Sequence, residues 1–223
     1  MPSKLDCPLM NISIEDGLIQ YLMLISLLTF HEFGHAWVAM KCGDDTARLQ
    51  GRVSLNPIVH MDLIGTVILP LIMIFSPYGI GRFLIGGAKP VPVNPLNFRY
   101  PNRDDLLVTL AGPGMNLLLA IILLGLARIV AMFAGVEVVD LFMQMAHLSL
   151  ILCFFNLLLP IPPLDGSRVM RVLVGMSYEQ YYKLAQYGYI PVILVWQIPA
   201  VQQFIMGTTD IVFNLIAYWS GFR

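Results

Sequence analysis

The stretch LIQYLMLISLLTFHEFGHAWVAM, residues 18–40, decides the reading of this chain, because it is apolar on every face except at His31, Glu32 and His35. A run of that length crosses a bilayer as one helix, which needs ~20 apolar residues. At 3.6 residues per turn, His31 and His35 stand one turn apart on the same face, so both imidazoles reach one tetrahedral metal. Glu32 points roughly 100° away around the helix, beside the open side of that metal. This is the H-E-x-x-H arrangement, in which the carboxylate acts as base to a water activated by zinc. A carboxylate in hydrocarbon costs about 2.5–3.5 kcal/mol by insertion scales. Three ionisable residues placed there without a role would be a poor choice, so a plain polar contact between helices is the weaker reading.

Composition extends this to the whole chain. Of the 223 residues 57% are hydrophobic and 12% charged, and the mean hydropathy is +0.74. Soluble domains run about 45–50% apolar and 25% charged, so this is an all-α, polytopic membrane protein embedded in a lipid bilayer. A net charge of -1 without any long Lys/Arg run excludes nucleic acid as a partner. Cys7, Cys42 and Cys153 are odd in number, widely spaced and without a C-x-x-C, which reads as free thiols and not as a disulfide framework or a thiolate zinc site. Residues 1–16 form a short polar arm. With Asp6, Glu15 and Asp16 against Lys4, it has the wrong charge for a signal peptide, so the first helix is retained. Residues 17–223 are expected to form a single transmembrane domain.

Beyond the first helix, Gly43 is a natural stop. Residues 47–55 (ARLQGRVSL) alternate polar and apolar, which predicts a strand pair or a bent strand. Residues 63–75 are apolar but only 13 long and interrupted by Pro70, short of a straight span, so they are expected to be re-entrant. Pro90, Pro92 and Pro95, with Gly86 and Gly87, keep residues 85–98 out of a helix and suit an extended or looped segment. A long helix is expected over 106–133, opened by Asp104 and Asp105 and containing the small residues of AGPGMN at 111–116. A second follows over 141–159 and is broken by Pro160, Pro162 and Pro163. A short amphipathic helix comes after Gly166, then two short spans over 184–199 and 204–218. The expected fold is a transmembrane helix bundle with a short β or re-entrant region.

Catalytic zinc usually takes three protein ligands, so HEFGH leaves one to be found among His60, Asp62, Asp104, Asp105, Glu137, Asp140, His147 and Asp165. Topology narrows the choice. If residues 63–75 are re-entrant, the long helix leaves from the end where His35 lies, its successor returns there, and Asp165 arrives at the right depth. The charges agree: Lys41, Arg48, Arg52, Arg82, Lys89, Arg99, Arg103, Arg168 and Arg171 then share one side and 134–140 has none, which makes that side cytoplasmic by the positive-inside rule. Asp104 and Asp105 are then helix-start residues near the surface, and Glu137 and Asp140 lie on the far side. His147, about four turns before Asp165, is a hydrogen-bonded histidine inside the bundle. His60 stays open as a residue touching metal or substrate, against a loop-bracing role.

These residues together resemble the site-2 proteases, zinc intramembrane metalloproteases, in the compact form without a PDZ domain. The resemblance rests on His31-Glu32-Phe33-Gly34-His35, on Asn156, and on PIPPLDG at 160–166. It also takes in Asn56-Pro57 with His60 and Asp62, KPVPVNP at 89–95, and Ala111-Gly112-Pro113 with Asn116, so it covers about residues 22–172. It implies one Zn2+ held by His31, His35 and Asp165, with Glu32 as base and Asn156 close to the reacting carbonyl. It further implies hydrolysis of membrane-spanning protein substrates within the plasma (inner) membrane of a prokaryote, nearer the cytoplasmic side. The family's asparagine precedes its aspartate by eight residues, whereas Asn156 and Asp165 are nine apart. A zinc-binding transporter or sensor without hydrolysis is the alternative, and Glu32 separates the two, since a pure binding site has no need of a carboxylate beside the metal.

Overall fold

The computed structural model describes residues 14–68, 70–72, 87–188 and 190–222. Among these residues every regular element is helical. Helix α1 (Ile14–Lys41) carries Glu15 and Asp16 in its first turn and Lys41 in its last, matching charge to the helix dipole at both ends. Gly43 then turns the chain at φ +106°, a conformation open to glycine. Helix α2 (Thr46–Leu49) is a single turn. After short turns at Pro57–His60, Leu63–Ile68 and Pro95–Asn97 come α3 (Pro101–Val130), α4 (Val136–Leu158), α5 (Asp165–Leu173), α6 (Tyr178–Ala185), α7 (Ile190–Trp196) and α8 (Pro199–Trp219). By length and apolarity α1, α3 and α4 can each cross a membrane. Helices α7 and α8, bent by 83° at their junction, qualify only as a pair.

The chain packs as two compact units. One takes Met1–Thr29 and Asn56–Pro90, of which residues 1–13, 69 and 73–86 lie outside the described residues. Within it Asp62 caps the helical turn that follows, its Oδ2 accepting the Ile64 and Gly65 amides at 3.1 and 2.7 Å. Thr66 Oγ1 donates to the Gly87 carbonyl at 2.7 Å. The expected re-entrant segment at 63–75 is helical over 63–68 and 70–72 and otherwise lies outside the described residues. The N-terminal arm falls there too, apart from residues 14–16, which already belong to α1.

The other unit takes Phe30–Leu55 and Val91–Arg223. Its core is the α3/α4 hairpin with α8 laid against it: Ala120, Leu123, Leu124, Ala146, Leu150 and Ala217 are buried together. The 131–135 turn joins two helices of membrane length, so α4 returns to the end from which α3 left.

The strand expected at 47–55 is not formed. Residues 46–49 are helical instead, and the physical reason is local. Asp44 takes the Thr46 amide and hydroxyl on one carboxylate oxygen, and Asp45 grips Arg48 through two bonds of 2.7 and 2.9 Å. Ala47, Val53, Val91 and Val93 do pack side chain to side chain. Between the two segments, however, Pro90 and Pro92 supply no N–H for a ladder. Helix α3 also starts five residues earlier than expected, on Pro101 at its N-terminus, a position where the missing N–H costs nothing. Asp104 and Asp105 are consequently buried, at 3% and 2% exposed, and not surface residues. Asp104 accepts the Tyr100 amide at 2.9 Å, and Asp105 pairs with Arg171 at 2.7 Å.

Candidate metal centre

His31 and His35 lie on the second half of α1, about 9–15 Å along the helix from Lys41 at 1.5 Å per residue. The prolines after α4 end that helix and let Asp165 open α5 at the same level. The three side chains meet. His31 Nε2 and His35 Nε2 are 3.1 Å apart, and Asp165 stands 3.1 Å from the first and 3.3 Å from the second. All three residues are largely withdrawn from solvent.

Close packing of backbone makes the cluster possible. A Cβ on Gly112 of α3 would run into the His35 ring and lie 2.7 Å from His31 Nε2, so only glycine lets α3 pass there. In return, a Cβ on Gly34 of α1 would sit 2.7 Å from the Ala111 carbonyl oxygen. At the start of α5, a Cβ on Gly166 would strike the Leu157 and Leu159 carbonyls, so Gly166 seats Asp165 against the end of α4.

Hydrogen bonds then fix the rings. His35 Nδ1 is 2.7 Å from the Val108 carbonyl, which can only accept, so Nδ1 carries the proton and Nε2 presents a lone pair. His31 Nδ1 faces the Asn116 amide at 3.2 Å, and Asn116 is itself held by Ser149, whose hydroxyl donates to its carbonyl at 2.7 Å. Glu32, one residue along from His31 and 9% exposed, accepts the Val91 amide at 3.0 Å. Val91 lies between two prolines, so its N–H is the single donor of that tripeptide.

Three acceptor atoms turned on one another repel unless a cation lies among them. A tetrahedral zinc with bonds of about 2.0–2.1 Å sets nitrogen and oxygen ligands about 3.3 Å apart. The observed separations fit, Asp165 Oδ2 is buried without a hydrogen bond, and two imidazoles with a carboxylate are a donor set zinc accepts. The residues therefore suit a zinc ion.

Comparison with known proteins agrees with this chemistry. The model of Peptidase family M50 matches residues 19–133 and 125–196. The chain belongs to that family. It is 39% identical to "Putative zinc metalloprotease YwhC" of Bacillus subtilis over 82% of this chain and 83% of the relative. It is 31% identical to "Putative zinc metalloprotease Rip2" of Mycolicibacterium smegmatis, over 86% and 68% respectively. With "Zinc metalloprotease MJ0392" of Methanocaldococcus jannaschii identity is 27%, over 76% of this chain and 38% of the relative. No solved structure matches. As an M50 peptidase the chain is a zinc metalloprotease, a hydrolase and an integral membrane protein, and its substrates are proteins.

The remaining predicted residues are placed as follows. Asn156, half-buried near the end of α4, donates its amide to the Leu152 carbonyl at 2.8 Å, along its own helix. His60 belongs to the first unit, where it is 2% exposed and its carbonyl accepts the Lys89 amide at 2.8 Å. His147 bonds Asp210 of α8 at 2.9 Å. Two site features escaped sequence reasoning: the Val108 carbonyl, which is backbone and carries no residue signature, and Asn116 against His31. The pattern G-x-x-x-N at 112–116 holds the signal for the second, since residues four apart share a helix face.

Proposed function

We propose that this chain is an intramembrane endopeptidase in which His31, His35 and Asp165 hold one zinc ion and Glu32 is the general base. The observation that supports it is the convergence of His31 and His35, on the membrane helix α1, with Asp165 at the start of α5, with Glu32 next to His31 in the chain. When bound, zinc supplies Lewis acidity toward a peptide carbonyl and lowers the pKa of water.

The chain's own residues do the rest. Val108 and Asn116 orient the two imidazoles. Glu32 takes a proton from the attacking water and returns it to the leaving nitrogen, so its carboxylate ends the cycle as it began. In the resting protein the Val91 N–H holds that carboxylate in place. Asn156, at the end of α4, is the side chain assigned to the reacting carbonyl, once its amide leaves Leu152. A helical substrate hides its carbonyls, so it must unwind, and the extended segment at 87–94 offers an edge against which an unwound strand could lie. Substrates are membrane-spanning proteins. Lys41, Arg48, Arg99, Arg103 and Arg168 cluster toward the ends nearer the site, and Arg128, in the last turn of α3, lies toward the other end. The positive-inside rule then places the site nearer the cytoplasm of a prokaryotic inner membrane.

The test is Glu32→Gln, which keeps size and helix but cannot accept the proton. On a single-pass membrane substrate in detergent, cleavage is expected to fall by ~10²–10⁴-fold, with zinc content unchanged in the same samples. Equal cleavage by the two proteins would remove Glu32 as base and favour a zinc sensor or transporter.

A further inference from the structure

The centre of the α4/α8 face carries charge where lipid should be. His147 is the middle residue of Val136–Leu158, a candidate membrane span, and it bonds Asp210 near the middle of α8. The pair is not enclosed: the Asp210 side chain is 61% exposed and that of His147 34%. It is also not alone. On α8 Gln203, Gly207, Asp210 and Asn214 fall within an arc of about 60°, and Gln203, Asp210 and Asn214 are exposed. On α4 Asp140, Gln144 and His147 share the same spacing, the first two exposed. Gly221 past the end of α8 lies against Arg128 at the end of α3, so α8 runs antiparallel to α4. Asn214 and Gln144 then each lie one turn beyond the ion pair toward the same end.

Hydrocarbon offers these groups no partner, and ionisable residues at that depth normally face protein or water. Gly207 adds an independent indication. A Cβ there would meet nothing within 4 Å, so among the described residues no contact calls for glycine, although glycine in a helix costs about 0.5–1 kcal/mol relative to alanine. A small residue at the centre of a polar stripe is what close approach of a second helix requires.

We propose that this face is a homodimer interface, two copies packing α8 on α8 about a two-fold axis near Gly207. A second copy fits the patch by its chemistry. Two copies in one bilayer share an orientation, so the axis runs along the membrane normal and equivalent turns of α8 meet. The Asn214 amides, which donate and accept, can pair with each other and with Asp210 across the axis, and Gln203 with its counterpart, as an isologous contact demands. An ordinary apolar substrate helix would offer no partner to the Gln144, Gln203 and Asn214 amides.

The experiment uses the full chain in native membranes and then in lipid nanodiscs. Gly207→Cys should form a symmetric disulfide on mild oxidation, which requires Cα atoms within about 7 Å, while the wild type with its own cysteines should not. Förster transfer between labelled copies should show the dimer dissociation constant rising roughly tenfold in Asp210→Leu, because each lost contact is made twice. Zinc content should be unchanged. If the face met only lipid, Asp210→Leu would leave transfer at the wild-type level and Gly207→Cys would stay monomeric, which overturns the proposal. Cross-linking of Gly207→Cys to a different protein overturns it as well. Should Asp210→Leu fail to fold, the Gly207→Cys result decides alone.

Discussion

Asn116 shows how much of the centre depends on single side chains outside the ligand set. For His31 to offer Nε2 to a metal, its Nδ1 must carry a proton, and the group facing it must accept. The Asn116 oxygen is buried without a partner, and turning the amide over would aim that oxygen at His31 Nδ1. Asn116→Leu, similarly branched but unable to accept, should therefore weaken zinc binding by ~10–100-fold, as loss of such outer partners does. Asn116→Asp should restore it, measured by competition with a chromophoric chelator. Equal loss in both variants would mean that Asn116 only packs. Gly112→Ala tests the neighbouring clearance: its methyl would occupy the space of the His35 ring, and zinc content should drop although none of the three proposed ligands is replaced. Neither role was readable from residue types alone, because the small residues at 111–116 announced a close helix approach but not which side chains it brings together.

At the level of elements, the position of Asp165 depends on α5 being fixed to α3. The Asp105–Arg171 pair does this, both side chains being about 96–97% withdrawn from solvent, with Arg171 stacked over Tyr178 at 4.0 Å. Arg171→Met leaves a buried carboxylate alone and should cost about 3–5 kcal/mol, whereas Asp105→Leu with Arg171→Met should recover most of it. Thermal unfolding in detergent measures both. Asp44 plays the corresponding part at the 42–46 turn, gathering the Asn94 amide at 2.7 Å and the Asn97 side chain at 2.9 Å as well as Thr46. Burial raises its pKa, but these bonds lower it further, so the net shift is downward. A depressed folded value means the contribution is fully present above the unfolded value of about 3.9 and is lost as pH falls below it. Asp44→Asn should be less stable than wild type at pH 7, and the gap should close below about pH 3.9. The alternation at 47–55 was misleading for the same reason: bonds from the Asp44 carboxylate to Thr46 and from the Asp45 carboxylate to the Arg48 guanidinium fold residues 46–49 locally before any ladder can form.

For the whole molecule, the second unit joins residues far apart at one end. The Arg99 amide donates to the Cys42 carbonyl at 3.3 Å, and Asn97 reaches Asp44. The chain therefore leaves that end after α1 and comes back to it before α3, which an odd number of membrane crossings between them would forbid. Cysteines introduced at Asp45 and Asn102 should accordingly be labelled by an impermeant reagent from the same side of sealed vesicles, and labelling from opposite sides would contradict this topology. The membrane class and the helix that sets His31 and His35 on one face were determined by the sequence itself, because apolar length and i, i+4 spacing are local properties of a helix. The expectation for Asp165 rested on the count of spans and on the proline break before it, and the structure brings its carboxylate to the two histidines. What the tertiary structure alone decided is which neutral groups hold the rings, that Asp104 and Asp105 are buried, and that Asp210 faces outward. Those depend on rotations of α3, α5 and α8 about their axes, and such rotations are set by contacts such as Gly34 on Ala111 and Gly112 on His35, where a single missing methylene permits an approach that no pattern of residue types encodes.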